Sequence, residues 1–320
     1  MKILVTGSRG FIGAAIARRL KAAGHEVIGL VRRSDLAADE LFLDLADPAP
    51  ISAGALPAGV DAVVHSAAMM SSTRFSRAAM QVNAGGTQRL TTWAREAGVA
   101  HFVQVSSIGA YGLACVGEQR HEDTSLGWFP LLPAYLRSKA RAERHVVAAG
   151  VPYTILRMPA VFGARDTVVT PAIVPSLLRG AMPWIRSRDR IVSTLWVENA
   201  AGVVAAVLAR APLQAALNVA DGEVPWSQIV DTFGAALGVE VVWRKHGLHT
   251  LLTRSEDYVF QYMVTTGGFG AQFPTDRMHA ALPGLALADW RDGVREAVQA
   301  YRADASSNQA AVSAKASSTP

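Results

Sequence analysis

Short runs of consecutive apolar residues alternate along the chain with longer stretches in which apolar residues recur every three or four positions. In order, KILVT, EVIGLV, LFLDL, DAVVHS, HFVQVS and YTILR read as strands, and residues 11–23, 78–97 and 134–149 read as helices between them. Runs that are apolar throughout, rather than at alternate positions, are buried on both faces. With helices between the strands, this predicts an α/β fold: a doubly wound parallel sheet with helices on both sides. After Gly163 the pattern loosens into helical segments, with short strand candidates at Leu217–Val219 and Glu240–Trp243. We expect residues 1–164 to form the sheet domain, 193–222 to pack back onto it, and 165–303 to form mainly a smaller C-terminal cap. Residues 304–320 carry few large apolar groups and are expected to be a disordered tail.

Composition narrows the function classes. The chain has 320 residues, 50% of them hydrophobic and 18% charged, enough to bury a full core. No apolar run approaches the ~20 residues of a membrane span, and the chain begins directly in a strand, so a cytoplasmic protein with no membrane partner is expected. The formal net charge of +5 is spread among acids rather than gathered in a basic run, which argues against nucleic acid as a partner. One cysteine, Cys115, excludes an internal disulfide and offers no thiolate cluster, so no metal is expected.

Chemistry enters at the strand ends. TGSRGFIG, Thr6 to Gly13, follows the first strand and opens a helix, the context that makes a glycine pattern a dinucleotide hypothesis on a Rossmann sheet. Gly7 serves the turn, Gly10 lets a pyrophosphate approach backbone amides, and Gly13 allows close packing of helix on strand. Arg9, Phe11 and Ile12 share that loop. An acid about 20 residues on usually meets a free ribose 2′-hydroxyl, but EVIGLV ends in Arg32 and Arg33, which favour a 2′-phosphate and therefore NADP over NAD. Arg9 is a third cation in reach. Both Arg32 and Arg33 could instead be surface residues, with Asp35 as the ribose acid. Asp44 and Leu45, after the next strand, are placed to border the adenine.

Tyr135 and Lys139 stand four apart in YLRSK, on one helical face. A phenol is a poor acid or base at neutral pH, and a nearby ammonium stabilises its phenolate. Together with the glycine loop, the pair outlines a site for hydride transfer coupled to proton transfer. His65 reads as a strand-end residue, since Tyr135 and Lys139 already provide the proton.

Five further motifs accompany the glycine loop: HSAA at 65–68, VNAGGT at 82–87, SSIGAYG at 106–112, YLRSK at 135–139 and LRMPAVFG at 156–163. With these the chain resembles the extended short-chain dehydrogenases/reductases of the NAD-dependent epimerase/dehydratase grouping. The resemblance covers about residues 1–302. It implies that Tyr135 is the proton donor or acceptor, Lys139 the partner that lowers its pKa, and Ser107 the carbonyl-binding hydroxyl. It also implies that Ala67, Ala68 and Asn83 lie beside the cofactor or its supporting helix, Lys139 on the nicotinamide ribose, and Pro159 and Val161 near the nicotinamide amide. Members often form homodimers through two helices that would be 78–97 and 134–149 here, although those Ala-rich faces could equally be buried within one subunit.

The segment STLWVENAA at 193–201 resembles the branch of 3β-hydroxysteroid dehydrogenases and dihydroflavonol reductases. Nucleotide-sugar epimerases often carry an arginine about five residues before the Val of that stretch. Val192 stands there, with Arg190 two residues away. The expectation is an NADP-dependent enzyme interconverting a ketone or aldehyde and its alcohol on an apolar small-molecule substrate. The alternatives are a nucleotide-sugar epimerase or dehydratase with tightly held NAD, and a non-catalytic cofactor sensor. Met69, Met70, Trp128 and Trp184 are substrate candidates, and Phe260, Tyr262 and Phe269 are further cap candidates. The run GWFPLLP either forms a greasy pocket mouth or packs its loop onto the core.

Overall fold

The computed structural model describes the chain except residues 72–74, 116, 118, 128–132, 251–265 and 318–320, with backbone alone at 113–115, 305 and 307–317. Its centre is a seven-stranded parallel sheet in the order β10-β6-β5-β4-β1-β2-β3. The strands are β1 (Lys2–Thr6), β2 (Glu26–Val31), β3 (Glu40–Phe42), β4 (Ala62–His65), β5 (His101–Ser107), β6 (Tyr153–Met158) and β10 (Ala215–Asn218). Ile3, Leu4, Val5, Val63, Val64, Phe102 and Val103 are fully buried, as continuous apolar strands of a two-sided parallel sheet must be. Strand order runs outward in both directions from the β1/β4 pair, whose register sets Thr6 opposite His65. That reversal opens a crevice at the carboxyl ends of the strands, where such sheets bind ligands.

Helices α1 (Phe11–Ala22) and α6 (Val197–Leu208) pack together on one face of the sheet. Segment 193–222 runs back along the sheet, with α6 on α1 and β10 paired to β6. The 78–97 helix is not uniform. It comprises α2 (Arg77–Ala79), a π-helical turn at Met80–Gly85 and α3 (Gly86–Glu96), and the wide turn carries Asn83. π-turns inside helices commonly mark functional positions. Across the sheet, α3 packs against α4 (Ala134–Ala148), whose inward face includes Ser138, Lys139, Ala142 and Glu143.

A second core lies beyond the sheet. It gathers α5 (Val169–Leu178), α7 (Trp226–Leu237) and the final helix Trp290–Ser317 around Ile173, Val230, Phe233, Phe273 and Val294. Small sheets join it: β7 (Val161–Phe162), β9 (Ile191–Trp196) and β11 (Gly222–Pro225) in one, β8 (Met182–Trp184) and β12 (Trp243–Lys245) in another.

Several boundaries differ from the sequence reading, among them the Leu217–Val219 strand, which runs Ala215–Asn218. The LFLDL strand starts and ends early, at Glu40 and Phe42, because Asp44 turns back to accept the Ala46 N–H. The expected strand at Glu240–Trp243 begins only at Trp243, where it pairs with Met182. Residues after 304 continue the final helix to Ser317 instead of forming an unstructured tail. Alanine is the best helix former, and Ala310, Ala311, Ala314 and Ala316 favour the helix without needing apolar burial. No helix among the described residues is long and apolar enough to cross a membrane.

Candidate active site

The ends of β1 and β4 are tied together before any ligand is considered. The His65 ring lies 2.7 Å from Thr6 Oγ1 and 2.9 Å from Thr87 Oγ1, and Ser66 Oγ donates to the Thr6 carbonyl at 2.7 Å. The Ala67 N–H donates to Thr6 Oγ1, which fixes the Ala67–Ala68 segment beside the glycine loop. Asn83 acts one layer back. Its Oδ1 accepts from the Met69 N–H at 2.7 Å, and its Nδ2 donates to the Met69 carbonyl and to Ser138 Oγ, each at 2.9 Å. Asn83 therefore supports the Ala67–Met69 segment rather than lining either cavity beside it.

Burial pushes the His65 imidazole down to about 3 and His101, bonded to Thr154 Oγ1, down to about 4. A ring so poised is no general base. Both rings are neutral in the folded chain and ordinary when unfolded, near 6.5, so the unfolded state takes up more protons as pH falls. Stability is thus full above about pH 6.5 and declines through the folded values, by about 2 kcal/mol per ring at pH 5. Urea unfolding at pH 8 and pH 5 should show a smaller loss for His101→Gln than for the parent; equal losses would contradict the assignment.

The glycine loop is built as a cradle. Gly7 has φ of 67°, a left-handed conformation that a side chain resists. A Cβ on Gly13 would lie 2.2 Å from the Gly7 carbonyl oxygen, so only glycine lets α1 sit this close. At Gly10 a Cβ would meet nothing but that same oxygen, which leaves the amide side of the turn open. Gly10 caps α1 without a side-chain hydrogen bond, and the helix has no acid in its first turn. The amides and the helix dipole are thus free to face an anion. These residues fit a dinucleotide's pyrophosphate.

Two cavities meet at this loop. One of about 340 Å³ is lined by Gly7, Arg9, Gly10, Arg32, Arg33, Asp44, Leu45, Ala67, Ala68 and Met69. Among them are the residues expected to border the adenosine and its ribose. Arg9, expected to face a 2′-phosphate, is instead held by Glu40, with Nε to Oε1 at 2.8 Å, and lies 3.2 Å from Asp35. Glu40 reaches it because β3 pairs beside β2, with Glu40 opposite Gly29. Arg33 also bonds Asp35, at 2.9 Å, whereas Arg32 pairs with no carboxylate among the described residues.

The other cavity, about 640 Å³, is lined by Gly10, Phe11, Ile12, Gly13, Ala67, Ala68, Ser107, Tyr135, Lys139, Pro159 and Val161. Tyr135 and Ser107 share a hydrogen bond, and Gly109 N–H donates to Ser107 Oγ at 3.0 Å. Burial raises the Tyr135 phenol above its ordinary range, with the Ser107 bond opposing. Lys139 is buried, its Nζ donating to the Val105 carbonyl at 2.7 Å. Burial brings its ammonium down to about 8, against an upward pull from Glu143.

Behind Lys139 lies a charged network that the sequence reading passed over. Glu143 accepts from Ser106 Oγ and from Arg157, whose Nη2 is 2.8 Å from Oε2. Arg157 also donates to Tyr111 Oη at 3.0 Å and stacks on the Tyr111 ring at 4.7 Å, while Tyr111 Oη donates to Asn218 at 2.7 Å. Its signal was present: Tyr135, Lys139 and Glu143 follow one another at intervals of four, on one helix face.

Asp166, Thr167, Val168 and Thr266 also line the cavity and were not foreseen. Of the substrate candidates, Met70 lines it. Met69 lines the smaller cavity, because Asn83 holds its backbone there. Trp184 does not line the cavity; it packs under Lys245 and Arg188, at 5.2 and 5.5 Å. Phe269 stacks with Arg186 at 4.9 Å. Trp128, Phe260, Tyr262 and most of GWFPLLP lie outside the described residues. Val192 is buried in the second core.

A nucleotide cradle at a switch point, with a Ser, Tyr and Lys set beside it, defines an NAD(P)-dependent enzyme of the extended short-chain dehydrogenase/reductase class. Residues 3–220 match the NAD dependent epimerase/dehydratase family, and the chain belongs to that family. It is 29% identical over 254 residues to the 2-alkyl-3-oxoalkanoate reductase of Stenotrophomonas maltophilia, covering 74% of this chain and 76% of that one. It is 36% identical over 177 residues to sterol demethylase protein B of Methylococcus capsulatus, about half of each chain, at 52% and 53%. Among solved structures it resembles the Bordetella bronchiseptica enzyme WbmH in complex with NAD+, with a TM-score of 0.74 and 19% identity, over 94% of this chain and 98% of that one. That last likeness concerns the fold.

Proposed function

We propose that this chain is an NADP-dependent oxidoreductase that interconverts a ketone or aldehyde and its alcohol on a small to medium, largely apolar substrate. One observation carries the substrate class. The lining of the larger cavity includes Met70, Ile108, Pro133, Leu136 and Val168, and among the described residues its only charged side chains are Lys139 and Asp166. A nucleotide diphosphate would bring two negative charges to a wall that offers no guanidinium among the described residues. The name of the Stenotrophomonas relative, a reductase of an oxoalkanoate, agrees with this reading.

The residues divide the work as follows. When bound, a reduced nicotinamide would supply a hydride for the substrate carbonyl carbon. Ser107 donates a hydrogen bond to the carbonyl oxygen as negative charge grows there. Tyr135 gives that oxygen its phenolic proton, and its raised pKa keeps the proton in place at neutral pH, which suits reduction. Lys139 lies one turn along the same helix, where its ammonium stabilises the phenolate that remains. Asn83 and the Glu143–Arg157 pair hold the segments on which these groups sit.

The purified protein with NADPH should be challenged with a panel of medium-chain 3-oxo acid esters and cyclic ketones, and separately with UDP-glucose. The expected result is NADPH oxidation with at least one apolar ketone and none with UDP-glucose. Conversion of UDP-glucose without net NADPH loss would replace this reading with internal redox chemistry on a nucleotide sugar.

A further inference from the structure

We infer that Arg165 is the clamp that closes the cofactor's pyrophosphate against the glycine loop from the opposite side of the cleft. The inference rests on the reading of that cleft as a dinucleotide site. Arg165 is far from the loop in sequence, yet its Nη2 donates to the Arg9 carbonyl oxygen at 3.4 Å. The guanidinium therefore hangs beside the Gly7–Gly10 turn, which both cavities share and where a pyrophosphate linking adenosine to nicotinamide would lie.

Like Arg32, Arg165 lacks, among the described residues, the carboxylate partner that occupies other cations of the loop and α1. Arg9, the cation within the loop itself, is neutralised by Glu40 and Asp35. Nearby Arg18 and Lys21 on α1 are paired with Glu198 and Asp39. Arg165 is exposed and forms no ion pair among the described residues. A planar fork of N–H donors is suited to bridging phosphate oxygens, and the loop amides would take the opposite side.

The backbone shows how the side chain is brought there. Asp166 N–H donates to the Gly163 carbonyl at 3.2 Å, which closes a four-residue turn with Arg165 third. Arg165 has φ of 69°, whereas Ala164 is not in the positive region, the pattern of a turn whose third position favours glycine. The surroundings impose it. The Asp166 carboxylate accepts the N–H groups of Val168, Val169 and Thr170, at 2.7, 3.1 and 2.6 Å, anchoring the turn to the start of α5. A side chain held against backbone preference beside a glycine loop is the kind of strained position found at ligand clamps. Because the turn belongs to the loop that also places Asp166, Thr167 and Val168 in the substrate cavity, cofactor binding would order one wall of the substrate site.

The test is a fluorescence titration of the full chain with NADPH and with NADH, for the parent, Arg165→Ala and Arg165→Gly. Both nucleotides contain the pyrophosphate, so both variants should weaken both by a similar factor, about tenfold at low salt and less at high salt. Arg165→Gly should meanwhile keep or raise the melting temperature, since glycine accepts the positive φ. Unchanged affinity for both nucleotides in both variants would overturn the clamp while leaving the cofactor reading intact. Loss confined to NADPH would overturn it too, by moving Arg165 to the 2′-phosphate. A parent chain that binds neither nucleotide would overturn the cofactor reading and the clamp together.

Discussion

Tyr135→Phe is expected to lower kcat for ketone reduction by roughly 10²–10⁴-fold, the range for removing a positioned general acid. NADPH affinity should hardly change. The variant keeps the ring and deletes only the oxygen, which shares a hydrogen bond with Ser107 and faces the cavity. Residual activity should come from Ser107 alone, which can stabilise the growing charge but is not positioned to complete the transfer. Stopped-flow single turnovers would separate this from a binding defect, because the loss must appear in the chemical step. Full turnover in the variant would remove Tyr135 from the mechanism.

The second large effect concerns the cofactor. Arg32→Ala combined with Arg33→Ala should raise the Kd for NADPH by about 10–100-fold, corresponding to about 1.5–3 kcal/mol for charged hydrogen bonds to the 2′-phosphate. NADH should be affected little. Arg32 is the stronger contributor, since Arg33 is partly engaged by Asp35. The pattern differs from that expected at Arg165, where both nucleotides weaken together. Equal losses for NADPH and NADH in the double variant would refute the 2′-phosphate assignment.

The sheet was legible because its strands are short apolar runs with a helix-period pattern between them, and burial on both faces leaves few alternatives. The glycine loop was legible for a related reason: close approach at Gly13 and positive φ at Gly7 admit almost no other residue. Tyr135 and Lys139 were found by their spacing on one helix face. What sequence could not give was pairing at a distance. Arg9 looked like a free cation until β3 brought Glu40 beside it, a contact between residues 31 apart. Met69 and Met70 are neighbours in sequence but face different cavities, with Asn83 holding the Met69 backbone by both its N–H and its carbonyl. Trp184 looked like a cap residue by composition, yet the pairing of β8 with β12 sets it among Arg188 and Lys245. The long C-terminal helix is hidden in the sequence because its low apolar content resembles that of an unstructured tail, although alanine supports a helix without burial.

The most direct measurement is to denature freshly purified protein, identify any nucleotide released, and titrate the emptied chain with NADPH and NADH. The account predicts an empty or readily exchanging site that prefers NADPH, as an enzyme that spends its cofactor each turnover requires. Stoichiometric NAD that leaves only on denaturation would contradict it and mark a chain that returns its hydride to the same substrate.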